Sequence, residues 1–173
     1  MAEVFLGIGS NIERERYIVA GLDAMRRLFG DFSHSSVYDG AAVGFEGQPF
    51  LNLVLCIETK LELADLAKAL RTIELEHGRA VNATRYSARQ LDIDILTYDD
   101  KVGVVAGVQL PRAEILYNAF VLQPLAELAP RVCHPVNGRP YAELWAEFDL
   151  SSQQLARVDF EWRGRAFHSK LVR

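Results

Sequence analysis

The sequence predicts an α+β sandwich of the ferredoxin-like type, an antiparallel sheet with helices packed on one face. Three observations lead there. Four apolar runs read as strands and two stretches with three-and-four apolar spacing read as helices. Their order is strand, helix, strand, strand, helix, strand, the βαββαβ arrangement. Each helical stripe ends at a glycine, Gly30 or Gly78.

In chain order, "EVFLGIG" (3–9) is a short apolar run closed by Gly9 and Ser10, and predicts a buried strand. Between Arg14 and Phe29, Ile18, Leu22, Met25 and Phe29 fall on one helical face. "FSHSSVYD" (32–39) is a strand with weaker alternation, able to pair with "FLNLVLCIET" (50–59) across a loop from Gly40 to Pro49. Leu63, Leu66, Leu70 and Ile73 mark a second helix from Glu62 to His77. Residues 79–90 lack a period and predict a loop, after which "LDIDILTY" (91–98) is the fourth strand. "KVGVVAGV" suggests an extra strand or a hairpin, short helices should fill Pro111 to Leu128, and another should span Tyr141 to Glu147. The tail, 150–173, reads as polar, with "FEWRGRAF" resembling a hairpin around Gly164.

A chain of 173 residues, half of them hydrophobic, suits one domain with a core of its own. Its net charge of −4 argues against a nucleic-acid or membrane-surface binder, and no RNP-type aromatic strand supports an RNA-binding module. Two cysteines do not make a disulfide framework, so a reducing cytoplasm is expected, with Cys56 in the core. There is no signal-peptide pattern and no apolar run of about 20 residues. The four histidines are scattered, without metal-ligand spacing, and read as surface or helix-end residues.

The fourth strand poses the chemical question. Residues two apart on a strand point the same way, roughly 6.6–7 Å apart. Leu91, Ile93 and Ile95 should face the helices, which sends Asp92 and Asp94 together from the opposite face. At an effective dielectric near 20, such charges repel by about 2–2.5 kcal/mol. A solvated strand face is one reading of an isolated Asp-x-Asp. The other is a hard divalent ion: Mg²⁺ commonly takes one or two carboxylates and completes its shell with water and phosphate oxygens. Arg79, Arg85 and Arg89 just upstream favour the second, because guanidinium groups hold phosphate from the side opposite a metal. The loop is not a P-loop, and "GIGSN" (7–11) is a strand end and turn, too short for a phosphate cradle.

Five stretches then carry a resemblance: "LGIGSNI" (6–12), "GQPFLNLV" (47–54), "IELEHGR" (73–79), "RYSARQLDIDIL" (85–96) and "LP…FVLQPLAELAP" (110–130). In that order they resemble the 6-hydroxymethyl-7,8-dihydropterin pyrophosphokinases of folate synthesis. The resemblance implies a pyrophosphokinase-like domain over 1–149 and a C-terminal extension over 150–173. It implies transfer of pyrophosphate from ATP to the pterin hydroxymethyl oxygen, with release of AMP, by a protein more often monomeric than oligomeric. By position, Asp92 and Asp94 would bridge two Mg²⁺ ions on the triphosphate, while Arg79 and Arg89 would contact phosphate as catalytic groups. Glu74, Arg85, Tyr86, Ile95 and Arg112 would border the nucleotide. Phe50 and Phe120 would stack on the pterin, and Asn52 would hydrogen-bond its edge. Without the resemblance, both phenylalanines read as core residues and Glu74 as an exposed helix charge.

The chain also departs from the family pattern. Tyr86 replaces the usual tryptophan, Ala88 a proline, Arg112 a histidine, and Asn118 an arginine; Asp39 and Gly40 stand where Thr and Pro are usual. Arg112 could restore the charge missing at Asn118. A catalytically silent or substrate-shifted homologue that binds pterin or nucleotide is the alternative these changes leave.

Overall fold

The computed structural model describes residues 1–40, 48–78, 90–151, 153 and 155–167. β1 (Ala2–Ser10), α1 (Arg14–Phe29), β2 (Ser33–His34), β3 (Val37–Gly40), β4 (Phe50–Thr59), α2 (Leu63–Glu76) and β5 (Asp92–Tyr98) reproduce the predicted order. The one revision is that "FSHSSVYD" divides into β2 and β3, both antiparallel to β4. The sheet runs β5-β1-β4-β3, the strand arrangement of a ferredoxin-like βαββαβ unit.

Alternation decides what lies where. Val4, Leu6 and Ile8 of β1, Leu51, Leu53 and Leu55 of β4, and Ile93 and Ile95 of β5 share one face. Onto them pack Ile18, Leu22 and Met25 of α1 and Leu63, Leu66, Leu70 and Ile73 of α2. Gly30 closes α1 with φ of 75°, a backbone conformation that only glycine enters without steric cost.

Helices were expected on one face only; the second face is also covered, in part. Phe5, Val54 and Leu96 meet Ile115, Val121, Leu122 and Leu125 in a separate cluster. Those residues come from a 3₁₀ turn (Ala113–Leu116) and α3 (Ala119–Leu128), with Tyr141 of α4 (Tyr141–Ala146) beside them. A bulge makes this possible. Leu6 pairs with Ile95 and Phe5 with Thr97, so Leu96 is the extra residue and turns to the α3 side. The predicted hairpin is β6 (Gly103–Val105) and β7 (Val108–Leu110).

The tail is more integrated than its polar composition predicts. β8 (Leu155–Val158) adds a strand beside β3. β9 (Glu161–Trp162) and β10 (Arg165–Ala166) form the hairpin around Gly164. Phe160, Trp162 and Phe167 are buried in the α1–α2 core, where Trp162 stacks on Phe32 and Phe167 on His34. Two histidines are therefore not surface residues: His34 is half-buried under that ring, and His134 is buried, accepting hydrogen bonds from the Val136 and Asn137 amides. Cys56 packs against the second cluster as expected. Among the described residues no helix is long and apolar enough to cross a membrane.

Candidate active site

Four of the predicted residues are strand side chains on the second face of the sheet. Asp92 pairs across β5–β1 with Gly9, and Gly9 pairs across β1–β4 with Asn52. Asp94 likewise pairs with Gly7, and Gly7 with Val54. The acids and Asn52 therefore stand on one face with a glycine between them. Strand alternation puts Phe50 there as well, and all four side chains are half-buried.

Gly7 and Gly9 are strand residues, as the reading of 3–9 has them, and β1 stays in register one residue further, through Ser10. A Cβ on Gly9 would lie 2.7 Å from Asn52 Oδ1 and 3.3 Å from Phe50 Cδ1. Asn52 and Phe50 therefore lean over Gly9, which makes a floor without side chains. The signal was present in the sequence. Glycines at 7 and 9, alternating with Leu6 and Ile8, strip one strand face while leaving the other apolar.

Asp94 lies under strong electrostatic tension. Burial, then the neighbouring Asp92, pushes its carboxyl up to about 8, with Glu114 and Glu74 adding to the push and Arg112 opposing it. The Arg112 amide bonds to the Leu96 carbonyl at 2.8 Å, placing that residue beside β5. Its Nη2 is 3.5 Å from Asp94 Oδ1 and 2.7 Å from Glu114 Oε1. Glu114 is buried and also accepts the Asn118 amide at 2.8 Å. Asn118 therefore does not supply a charge; it holds the carboxylate that holds Arg112.

This arrangement has a measurable pH signature. Between the usual Asp value and about 8, the folded chain keeps a proton on Asp94 that the unfolded chain has lost. Folding takes up that proton, so this residue's contribution to stability falls as pH rises through the interval. Asp94→Asn is expected to raise the metal-free melting temperature at pH 8 by about 2–4 °C, and by much less at pH 5. Thermal melts at the two pH values test it.

Glu74 is not the exposed charge its helix position suggested. It is buried, and its Oε2 accepts the Ile93 amide at 2.8 Å. Because β5 is the end strand of the sheet, that amide points away from β1, and Glu74 satisfies it. Glu74→Ala is expected to cost about 1–3 kcal/mol by stranding a buried N–H, and Glu74→Gln distinctly less. Denaturant unfolding measures both.

Ile95 lies in the α1–α2 core, on the face opposite Asp94, so its side chain cannot border a nucleotide there. Only its backbone, on the outer side of β5, remains for such a contact. Phe120, in the first turn of α3, packs against the second cluster, on the same side of the sheet as Phe50. Arg79, Arg85, Tyr86 and Arg89 lie outside the described residues. Asp39, one of the departures, pairs through both carboxylate oxygens with Arg14, which also donates to the Pro49 carbonyl at 3.1 Å. That clasp ties the end of β3 and the start of β4 to α1.

Among the described residues no group of three or more His, Cys, Asp or Glu is placed to hold a metal. Two carboxylates are what a magnesium ion shared with polyphosphate uses, the remaining positions going to phosphate oxygens and water. Fold and site thus define a ferredoxin-like α+β protein with paired acids, a tethered arginine and an amide–aromatic patch on one sheet face. That donor set suits a metal-bound polyphosphate beside a flat, polar-edged ring.

A model of the 7,8-dihydro-6-hydroxymethylpterin-pyrophosphokinase family matches residues 5–130. Among curated proteins, the 2-amino-4-hydroxy-6-hydroxymethyldihydropteridine pyrophosphokinase of Aquifex aeolicus is 35% identical over 152 residues, 87% of this chain and 94% of that one. The protein of the same name from Pseudomonas aeruginosa is 39% identical over 147 residues, 83% and 90% of the two chains. Among solved structures, the Plasmodium falciparum HPPK-DHPS with SDX-DHP superposes with a TM-score of 0.67 at 12% identity, covering 98% of this chain and 49% of that one. An HPPK-DHPS in complex with substrates gives 0.64 at 12% identity, over 84% and 43%. This chain spans less than half of those structures, and their likeness bears on the fold. The chain belongs to the 7,8-dihydro-6-hydroxymethylpterin-pyrophosphokinase family.

Proposed function

We propose that this chain transfers the pyrophosphoryl group of ATP to 6-hydroxymethyl-7,8-dihydropterin, giving the pterin diphosphate and AMP. The observation that carries the reading is the placement of Asp92, Asp94, Asn52 and Phe50 on one sheet face around the bare strand position Gly9. The pterin hydroxymethyl oxygen attacks the β-phosphorus of ATP. A new P–O bond forms, the bond from the β-phosphorus to the oxygen of the α-phosphate breaks, and the hydroxyl proton is released.

Asp92 and Asp94 would hold Mg²⁺, two ions in this reading, and the metal when bound supplies charge neutralisation on the polyphosphate. The chain's own residues supply recognition and order. Asn52 offers a donor and an acceptor to the amide-like pterin edge. Phe50 and Phe120 take the ring faces. Arg112, held by Glu114, supplies positive charge beside the acids. Arg79 and Arg89 act on the transferred phosphates, and Arg85 and Tyr86 border the nucleotide, by their positions in the family motif. Glu74 serves the same end indirectly, by fixing the edge of the strand that bears both aspartates. The reading carries with it small-molecule substrates alone, a monomer, a cytoplasmic setting, and a pyrophosphokinase domain over 1–149 whose core the C-terminal extension completes.

The test is AMP release from purified protein with Mg-ATP and the hydroxymethyl dihydropterin. Turnover that requires all three components is expected. Folded protein that binds pterin or ATP and releases no AMP would place this chain with silent homologues.

A further inference from the structure

The helix that carries Phe120 is held at its start by the tail. α3 has no side-chain cap of its own: Asn118, in the capping position, makes no cap bond and instead donates from Nδ2 to Glu114. The partner comes from far along the chain. Gln153 Oε1 accepts the Ala119 amide hydrogen at 2.9 Å, and Gln153 Nε2 donates to the Tyr117 carbonyl at 2.8 Å. One side chain thus grips the backbone on both sides of Asn118, immediately before Phe120. The grip requires a donor and an acceptor on a single group, which a glutamine amide has and a carboxylate lacks.

The other end of α3 is tied to the sheet. Glu127 accepts the Ser36 amide at 3.0 Å, the Ser36 hydroxyl at 2.7 Å and the Tyr38 hydroxyl at 2.7 Å. Tyr38 is the cross-strand partner of Asn52. Arg157, on the tail strand β8, lies with its guanidinium 5.7 Å from the Tyr38 ring centre and donates to the hydroxyl at 3.4 Å. Gln153 and Arg157 therefore touch the two supports of the proposed pterin site, the first turn of α3 and the strand beside Asn52.

We propose that Gln153 is a positioning residue for pterin recognition, setting the first turn of α3 and with it Phe120, so that the C-terminal extension serves the substrate site. The proposal rests on reading Phe120 as one wall of that site. Truncating the tail would not test it, because Phe160, Trp162 and Phe167 belong to the core.

Point variants do test it. Gln153→Leu keeps the bulk and removes both hydrogen bonds; Gln153→Glu keeps the acceptor but sets a carboxylate oxygen against the Tyr117 carbonyl. KM for the hydroxymethyl dihydropterin at saturating Mg-ATP, KM for ATP, and the melting temperature are measured for each, with Phe120→Ala alongside. A rise of about three- to tenfold in pterin KM is expected for Gln153→Leu, with a rise also for Gln153→Glu. ATP KM should stay within about twofold, and Phe120→Ala should raise pterin KM further. If Phe120→Ala raises pterin KM and Gln153→Leu does not, the positioning role is wrong and the pterin reading survives. Equal changes in both KM values, or a lower melting temperature alone, would make Gln153 a purely structural tie and overturn the proposal. An unchanged pterin KM in Phe120→Ala would remove the wall itself, and the proposal with it.

Discussion

Replacing Asp92 or Asp94 with alanine is expected to lower magnesium-dependent AMP release by at least about 10²–10³-fold, the loss typical when one preorganised electrostatic group is taken from a reaction site. Both carboxylates project from the same face of β5 beside glycines, so neither has a substitute across the β5–β1 pairing. The fold should survive. Burial and Asp92 already disfavour the charged form of Asp94, and its removal relieves that tension. Arg112 is not left unpaired, because Glu114 holds it at 2.7 Å. AMP release at saturating substrates, with circular dichroism to confirm folding, checks the result. Activity above about a tenth of the parent in either folded variant would show that these acids do not carry the metal.

The second large effect is expected from a methyl group. Gly9→Ala places a Cβ 2.7 Å from Asn52 Oδ1, closer than real side chains pack, and 3.3 Å from Phe50 Cδ1, tighter than most do. The amide end of Asn52 can rotate away, so the cost to folding is modest. Rotation, however, removes the hydrogen-bonding edge that the pterin needs. At about 1–1.5 kcal/mol for each hydrogen bond lost, pterin KM should rise by about tenfold or more, with ATP KM changed little. Gly7→Ala is the internal control, since its Cβ would meet Leu96 Cδ2 at 3.5 Å, an ordinary contact. Steady-state kinetics on both variants decide the matter. Equal pterin KM values in the two variants would mean that Asn52 does not recognise the ring.

Much of the framework was legible because it obeys short periods. Ile18, Leu22 and Met25 lie buried on one face of α1, as their spacing requires, and Leu63, Leu66, Leu70 and Ile73 do the same on α2. The alternation of Asp92 and Asp94 with Ile93 and Ile95 separated acid face from core face correctly. Other residues resisted that reading. Glu74 resembles any helix charge until β5 proves to be an end strand with an outward amide to satisfy. Trp162 and Phe167 sit in a polar tail, and only the docking of 155–167 against β3 and α1 makes them core.

Local side-chain patterns are enough to set the order of the elements, the inward face of each, and the projection of two carboxylates from one side of a strand. These depend on repeats of 2.0 and 3.6 residues, which a few consecutive side chains encode. Long-range packing is what sets Gly9 between Asp92 and Asn52, Arg112 beside Asp94, and Gln153 at the start of α3. Those pairings join residues far apart in the chain. They are set by strand register and by packing across the sheet, which no local repeat specifies.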